Sequence, residues 1–397
     1  MFIAKDPRGN LISVLNLPRE KLPVLKKSEY YCPSCHRPVI LKAGTKKLPH
    51  FAHKTRCPVK TEGESEIHLL GKKKLYEWLV SQGIKPEIEK YIREIHQQPD
   101  LFFQWNGKNI ALEFQCSVIS IREMERRTTN YLKHGFIPLW ILYNERINHR
   151  SGILQFNEFL SCFLTKSKTA SPLIISFQPE TDRFYTYQPI IPFSTNRACA
   201  MKMSFSLYTP LSVLFSHRCP SDRLIENWLN MAEKSLIRMS LLPDARKNPF
   251  LQFLYHQRIH PVELPPEVGV PVPEMFFIKN SPFEWQAYIW LYFLYRQKTG
   301  TVIHKREIER FVLNKMKEKV LFRHLPSFNE KETIRPVAYY FQYLVNTGFF
   351  ERAGETLIVR KTSALMQKAN LYRTEQRKKW FIQQKHALHR LFLLTKH

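Results

Sequence analysis

The sequence predicts an α/β core set between a small cysteine- and histidine-bearing module and an α-helical carboxy-terminal domain. Three observations predict it. A Cys32-Pro33-Ser34-Cys35 knuckle is followed within about twenty residues by His50, His53 and Cys57. Between residues 61 and 150 the apolar period reads helix, strand, strand, strand, helix, strand. From Asp222 onward the spacing turns to helical period, as in Leu224, Ile225, Trp228, Leu229 and Ala232. The resulting division is residues 1–60, a zinc-ribbon-like module; 61–215, the α/β domain; and 216–397, the helical domain.

The α/β part is organised around Pro99 to Gln115. Leu101 to Trp105 and Ile110 to Gln115 are two apolar runs separated by Asn106-Gly107, and this dipeptide supplies the positive φ angles that a tight hairpin needs. Asp100 opens the first strand and Glu113 lies late in the second, so the hairpin can bring both carboxylates to the end away from its turn. Two converging acids hold a hard divalent cation such as Mg²⁺ or Mn²⁺, and that cation can activate water against a phosphodiester. A helix precedes the hairpin: Glu64, His68 and Lys72 recur every four residues on one face, and Gly83 ends it. Lys85 to Ile92 reads as a strand with Glu87 and Glu89 on one face. Ser117 to His134 reads as a helix with Arg122, Arg126, Arg127 and Lys133 on a basic face, and Phe136 to Leu142 as a strand buried on both sides. This is the core order of the restriction-endonuclease-like fold.

In the amino-terminal module, Phe2 to Val14 reads as a short hairpin turning at Pro7-Arg8-Gly9-Asn10. Cys32 and Cys35 place two thiolates on one turn, which suits one side of a tetrahedral zinc site. His53 with Cys57, or His50 with His53, would each close it. On a regular strand His50 and His53 face opposite sides, which favours His53 with Cys57.

Composition bounds the partners. The 397 residues carry 61 Lys and Arg against 34 Asp and Glu, a formal charge of +27. Such an excess points to a polyanion, and nucleic acid is favoured over membrane because the basic residues are spread along the chain. No apolar run reaches the ~18 residues of a membrane span, and Met1 to Asp6 does not read as a signal peptide. Seven cysteines in such a chain suit metal binding or free thiols better than a disulfide framework, and Cys162, Cys199 and Cys219 read as free thiols. No P-loop or glycine-rich phosphate cradle indicates ATP use.

Beyond residue 150, strands are expected at Leu173–Phe177, Phe184–Tyr187 and Ala200–Tyr208, with breaks at Pro179 and at Pro189 to Pro192. Glu284 to Tyr295 is a helix dense in aromatics. Beside Arg296 and Lys298 these could stack on unpaired bases, but their density points to a buried core. Arg373 to His397 is a basic helix carrying Arg377-Lys378-Lys379-Trp380, suited to DNA or to a partner.

Taken together, Cys32-x2-Cys35 with His50-Phe51-Ala52-His53, Glu64-Ser65-x2-His68-x3-Lys72, Pro99-Asp100, Glu113-Phe114-Gln115-x-Ser117 and Arg127-x3-Tyr131 resemble the competence protein CoiA family. The resemblance implies a cytoplasmic protein of naturally transformable bacteria, needed for recombination of incoming single-stranded DNA, alongside recombination proteins. It also implies a nuclease domain of the PD-(D/E)-x-K type. Asp100 matches the first acid of that motif and Glu113 the second, while Gln115 stands where such nucleases carry lysine. On this basis Asp100 and Glu113 would hold the metal, with Glu64 through water; Gln115 would orient water, and Lys72 or His68 would supply the missing charge. Ser117, Arg127 and Tyr131 would meet DNA. The other class of function is a non-catalytic single-stranded DNA-binding mediator on a degenerate nuclease site.

Overall fold

The computed structural model describes residues 1–44, 47–54, 65–167, 171–366 and 373–393. It is mixed α/β and divides into two units. The first comprises Met1–Ile147, Ile174–Thr186 and Met203–Leu214; the second comprises Asn148–Leu173, Tyr187–Lys202 and Phe215–His397.

The first unit opens with a five-stranded antiparallel sheet made of β1 (Ile3–Lys5), β2 (Leu11–Ser13), β3 (Tyr30–Tyr31), β4 (Pro38–Lys42) and β5 (His50–His53), in the order β2-β1-β3-β4-β5. The expected hairpin is present, with Ile3 opposite Ser13. Its small core joins Phe2, Ala4, Val14, Tyr30, Val39 and Phe51 to Leu69 of the following helix, so the module is packed on that helix.

That helix, α2 (Glu66–Ser81), follows a short helix α1 (Leu22–Leu25). Ser65 caps it by accepting from His68 N at 3.2 Å, and Gly83 follows its end with φ of +74°. Then come β6 (Glu87–Ile88), β7 (Leu101–Trp105), β8 (Lys108–Gln115), α3 (Ile121–Lys133) and β9 (Ile137–Tyr143). The predicted hairpin forms with Leu101 opposite Leu112 and Trp105 opposite Lys108. Asn106 and Gly107 make its turn at φ of +48° and +69°. After two short strands of the second unit, β10 (His149–Arg150) and β11 (Ile153–Gln155), the first unit resumes with β12 (Ile174–Gln178). Its sheet order is β12-β9-β8-β7-β6, with β8, β9 and β12 parallel.

The predicted strand from Lys85 to Ile92 is the main departure. Only Glu87 and Ile88 form a strand; Glu89 takes a left-handed backbone at φ of +52°. That reversal parts the two acids. Glu87 stays exposed with Lys90, whereas Glu89 is buried.

Helix α2 approaches β8 closely because residue 71 is glycine. A Cβ there would lie 2.1 Å from the Phe114 ring. That ring is hemmed by His68 and Phe177, with centroids 6.1 and 5.9 Å away.

In the second unit β11 pairs with residues 197–199. The break expected at Pro189 to Pro192 is not found: the strand expected at Phe184–Tyr187 runs from Arg183 to Ser194 through Pro189 and Pro192. Proline's fixed φ is compatible with extended backbone and removes a donor without ending the strand. A large core collects Trp228, Trp285, Trp290, Phe293 and Tyr340, so the aromatic helix Pro282–Phe293 is interior, as its density indicated. In the basic helix Arg373–Gln383, Lys378 and Lys379 are exposed but Arg377 is buried, donating to the carbonyls of Val268 and Leu264 at 2.8 and 2.6 Å. Cys162, Cys199 and Cys219 are thiols and not disulfides: Cys162 Sγ donates to Glu158 O at 3.3 Å, and Cys219 Sγ lies 3.4 Å from His217 Nε2. Among the described residues no helix is long and apolar enough to cross a membrane.

Gly71→Ala is expected to destabilise the first unit. The ~1 kcal/mol gained in helix propensity is outweighed by about 1–3 kcal/mol of overpacking against a ring that cannot swing away. A lower urea midpoint for the variant checks this; an unchanged or raised midpoint contradicts it.

Candidate functional site

Two polar clusters lie in the first unit. The first is at the acid end of the hairpin. The register that sets Leu101 against Leu112 makes Asp100 and Glu113 the next facing positions along β7 and β8. Both acids are buried, at 4% and 3% exposure. Asp100 Oδ2 accepts from Phe114 N at 2.9 Å and lies 3.0 Å from His68 Nε2. Lys72 Nζ is 3.9 Å from Asp100 Oδ1. The spacing of His68 and Lys72 on α2 therefore does bring both side chains to Asp100, and Gly71 between them allows the approach. Glu64, the other member of that face, lies outside the described residues, as does Cys57.

Lys72 is fully buried and ion-paired with Glu89, a partner the sequence did not reveal. Glu89 is fixed in turn: its Oε2 accepts from Phe2 N and Ile3 N at 2.8 and 3.0 Å. No sequence signal marks this, because Glu89 alternates with Glu87 as a strand acid would.

Glu113 faces α3. Its Oε1 is ion-paired with Arg127 and accepts from Tyr131 OH at 2.6 Å. Arg127 also stacks on Trp140, 5.2 Å from the ring centroid, and Trp140 Nε1 donates to Thr128 at 3.0 Å. Burial works against the Arg127 charge, but Glu113, Tyr131 and Asp100 more than offset it and raise its pKa above the ordinary guanidinium range. Burial and the Glu113 carboxylate raise the Tyr131 phenol well above its usual value. Both hairpin acids thus act on one guanidinium. Gln115 Nε2 donates to Ser117 O at 2.9 Å and to Ser117 Oγ at 3.2 Å. Cys116 is no nucleophile: burial, with the Asp100 charge adding, pushes its thiol up to about 12.

The second cluster is Cys32, Cys35 and His53, whose ligand atoms all lie within 4.8 Å of one another. Cys35 Sγ is 3.2 Å from His53 Nε2. Among the described residues this is the one group of three or more Cys, His, Asp or Glu close enough to hold a metal ion. His50, three residues earlier on β5, donates from Nδ1 to Leu48 O at 2.9 Å, so the strand brings His53 rather than His50 to the cysteines. Two thiolates and an imidazole form a soft donor set of the kind zinc takes.

Three family models match the chain: the competence protein CoiA N-terminal domain over residues 14–60, its nuclease-like domain over 64–218, and its C-terminal domain over 227–371. The competence protein CoiA of Bacillus subtilis (strain 168) is 31% identical over 274 residues, which is 68% of this chain and 73% of that protein. No solved structure matches.

Two outcomes are expected from these clusters. Arg127→Ala strands the Glu113 carboxylate in a buried site and should cost about 3–5 kcal/mol of stability, much of it regained in Arg127→Met with Glu113→Gln. Urea unfolding of the single and double variants checks this. Elemental analysis of the purified chain should find about one zinc ion per molecule, lost in Cys35→Ser and in His53→Ala.

Proposed function

Because the chain belongs to the competence protein CoiA family, and so to competence, we propose that it processes incoming single-stranded DNA in the cytoplasm, where it assists recombination. Its nuclease-like domain, read as a restriction-endonuclease-like core, would act as a metal-dependent phosphodiesterase of the PD-(D/E)-x-K type. The observation that carries this reading is the placement of Lys72 and His68 against Asp100. Gln115 lacks the charge of the motif lysine, and α2 brings an ammonium to Asp100.

The donor set fits a hard cation. Asp100 and Glu113 stand at adjoining register positions of paired strands, Asp100 turned to α2 and Glu113 to α3, and each offers oxygen ligands. Lys72 and Arg127 set two cationic side chains against the three acids Glu89, Asp100 and Glu113, an excess of one carboxylate. That is the same sum as two acids and the lysine of the standard motif. Asp100 and Glu113 would hold Mg²⁺ or Mn²⁺, which when bound lowers the pKa of water and polarises the phosphate. The chain's own residues do the rest. Lys72 opposes charge developing on the phosphate, and His68 can accept or deliver a proton at Asp100. Gln115, held by Ser117, presents a neutral amide. Arg127 can exchange the Glu113 carboxylate for a backbone phosphate, since a guanidinium pairs with either through a planar fork. The zinc-ribbon-like module is structural in this reading.

A second reading rests on a specific observation. Glu113 is already satisfied by Arg127 and Tyr131, which suits a domain that binds DNA without cutting it. Labelled single-stranded DNA incubated with the full chain and Mg²⁺ or Mn²⁺ separates the two. Cleavage is expected, lost on Asp100→Ala with Glu113→Ala while strand retention persists. Retention with no cleavage in either metal would establish the second reading; cleavage surviving the double substitution would remove these acids from the chemistry.

A further inference from the structure

Glu89 is an acid of the site held by backbone from outside the nuclease-like domain. Its carboxylate is gripped on one oxygen by the amides of Phe2 and Ile3 and on the other by Lys72. Its own backbone is gripped as well. Glu89 N donates to Asp100 O at 3.0 Å. Glu89 O accepts from Gln98 Nε2 at 2.7 Å, and Gln98 Oε1 accepts from Ser34 Oγ at 3.0 Å. Ser34 is one of the two residues between the cysteines of the metal-ligand turn. The Phe2 ring also lies beneath the ammonium, with Lys72 Nζ 5.5 Å from its centroid.

Docking alone does not require this arrangement. A buried ion pair is seldom more stabilising than apolar side chains of the same volume, and the module already has an apolar seam with α2 through Leu69. Glu89 moreover keeps a left-handed backbone, which a residue with a side chain rarely adopts and which tends to persist where surrounding contacts impose it. What the arrangement does accomplish is to aim a buried ammonium at Asp100 and to tie that aim to the cysteine turn.

We propose that Glu89 is a positioning residue for Lys72, and that metal binding at Cys32, Cys35 and His53 governs it through the first strand and through the Ser34–Gln98 strut. The metal-bound module holds Glu89, and Glu89 presents Lys72 to Asp100. Loss of the metal loosens the cysteine turn and the first strand together, and Lys72 then loses its fixed counter-ion. The role given to Lys72 rests on the nuclease reading; the mechanical link from module to Glu89 does not.

The test uses the full chain and reads amide hydrogen exchange by mass spectrometry, so it needs no enzymatic activity. Stripping the metal with a chelator should speed exchange in residues 1–5 and 87–98 as well as in 30–53, while β8 and β9 stay protected. Exchange that rises only within 30–53 overturns the link. Should stripping loosen the whole chain, Ser34→Ala decides. It keeps all metal ligands and removes one hydrogen bond of the strut, so residues 87–98 should exchange on the order of fivefold faster with metal still bound. Unchanged exchange there overturns the proposal. Where the wild-type chain cuts DNA, Glu89→Gln keeps an acceptor for the Phe2 and Ile3 amides but loses the anion. Turnover should then fall about tenfold or more with DNA affinity retained, and Glu89→Asp should restore part of it. Equal loss of affinity and turnover would make Glu89 merely structural. A wild-type chain that does not cut DNA refutes the nuclease reading alone and leaves the exchange measurements to judge the link.

Discussion

A lysine ammonium with no exposure to water is the constraint on which the first unit depends. Removing such a charge from solvent costs several kcal/mol unless partners surround it. Lys72 has Glu89 in direct contact, Asp100 at 3.9 Å and an aromatic face at 5.5 Å. Each partner in turn requires something of the chain. Glu89 needs a left-handed turn and two amides from the first strand. Asp100 needs the hairpin register and the Phe114 amide. The Lys72 stem needs α2 pressed on β8, which a glycine at 71 permits. One buried cation therefore ties the amino-terminal sheet, the helix and the hairpin to one another.

Much of this was legible in the sequence, and the reasons are local. Asn106-Gly107 specifies a two-residue turn through its own φ preferences. The four-residue spacing of His68 and Lys72, with Ser65 ahead of them, specifies a capped helix with both side chains on one side. The Cys32-x2-Cys35 spacing sets two thiols on one turn whatever the rest of the chain does. The features that escaped depend on contacts distant in sequence. Glu89 belongs to an alternating run and carries no glycine to announce a reversal, so its burial follows only from amides 86 and 87 residues away. Arg127 was visible as a member of a basic face, and its attachment to Glu113 follows from the packing of α3 on the sheet. Arg377 sits in a run of three basic residues that reads as surface charge, yet its guanidinium closes on two carbonyls more than a hundred residues earlier.

The two halves of the acid site answer to different cations. Asp100 faces α2, where the charge is a lysine already committed to Glu89. Glu113 faces α3, where the charge is an arginine stacked on tryptophan. An arginine in that position is more easily recruited by a phosphate than a lysine sealed behind a second carboxylate, since its side chain is 20% exposed and its planar fork matches either partner. The asymmetry gives the site one fully buried cation and one partly exposed one.

That asymmetry also joins the local charge to the global one. A chain with a formal charge of +27 attracts a polyanion over distances at which individual contacts have no meaning, and the attraction weakens as salt rises. At the acid end of the hairpin the sign reverses, because three carboxylates face two cations. A phosphate drawn in by the overall field meets a locally negative centre and is repelled unless a cation intervenes there. Arg127 is the one such cation of the site that is partly exposed, and its departure toward the phosphate would leave Glu113 open for a metal. Nucleic acid and metal would then favour each other's binding, since each removes the charge that opposes the other. In the proposed reading, coupling of that kind would arise from the charge arrangement whether or not the bond is subsequently cut.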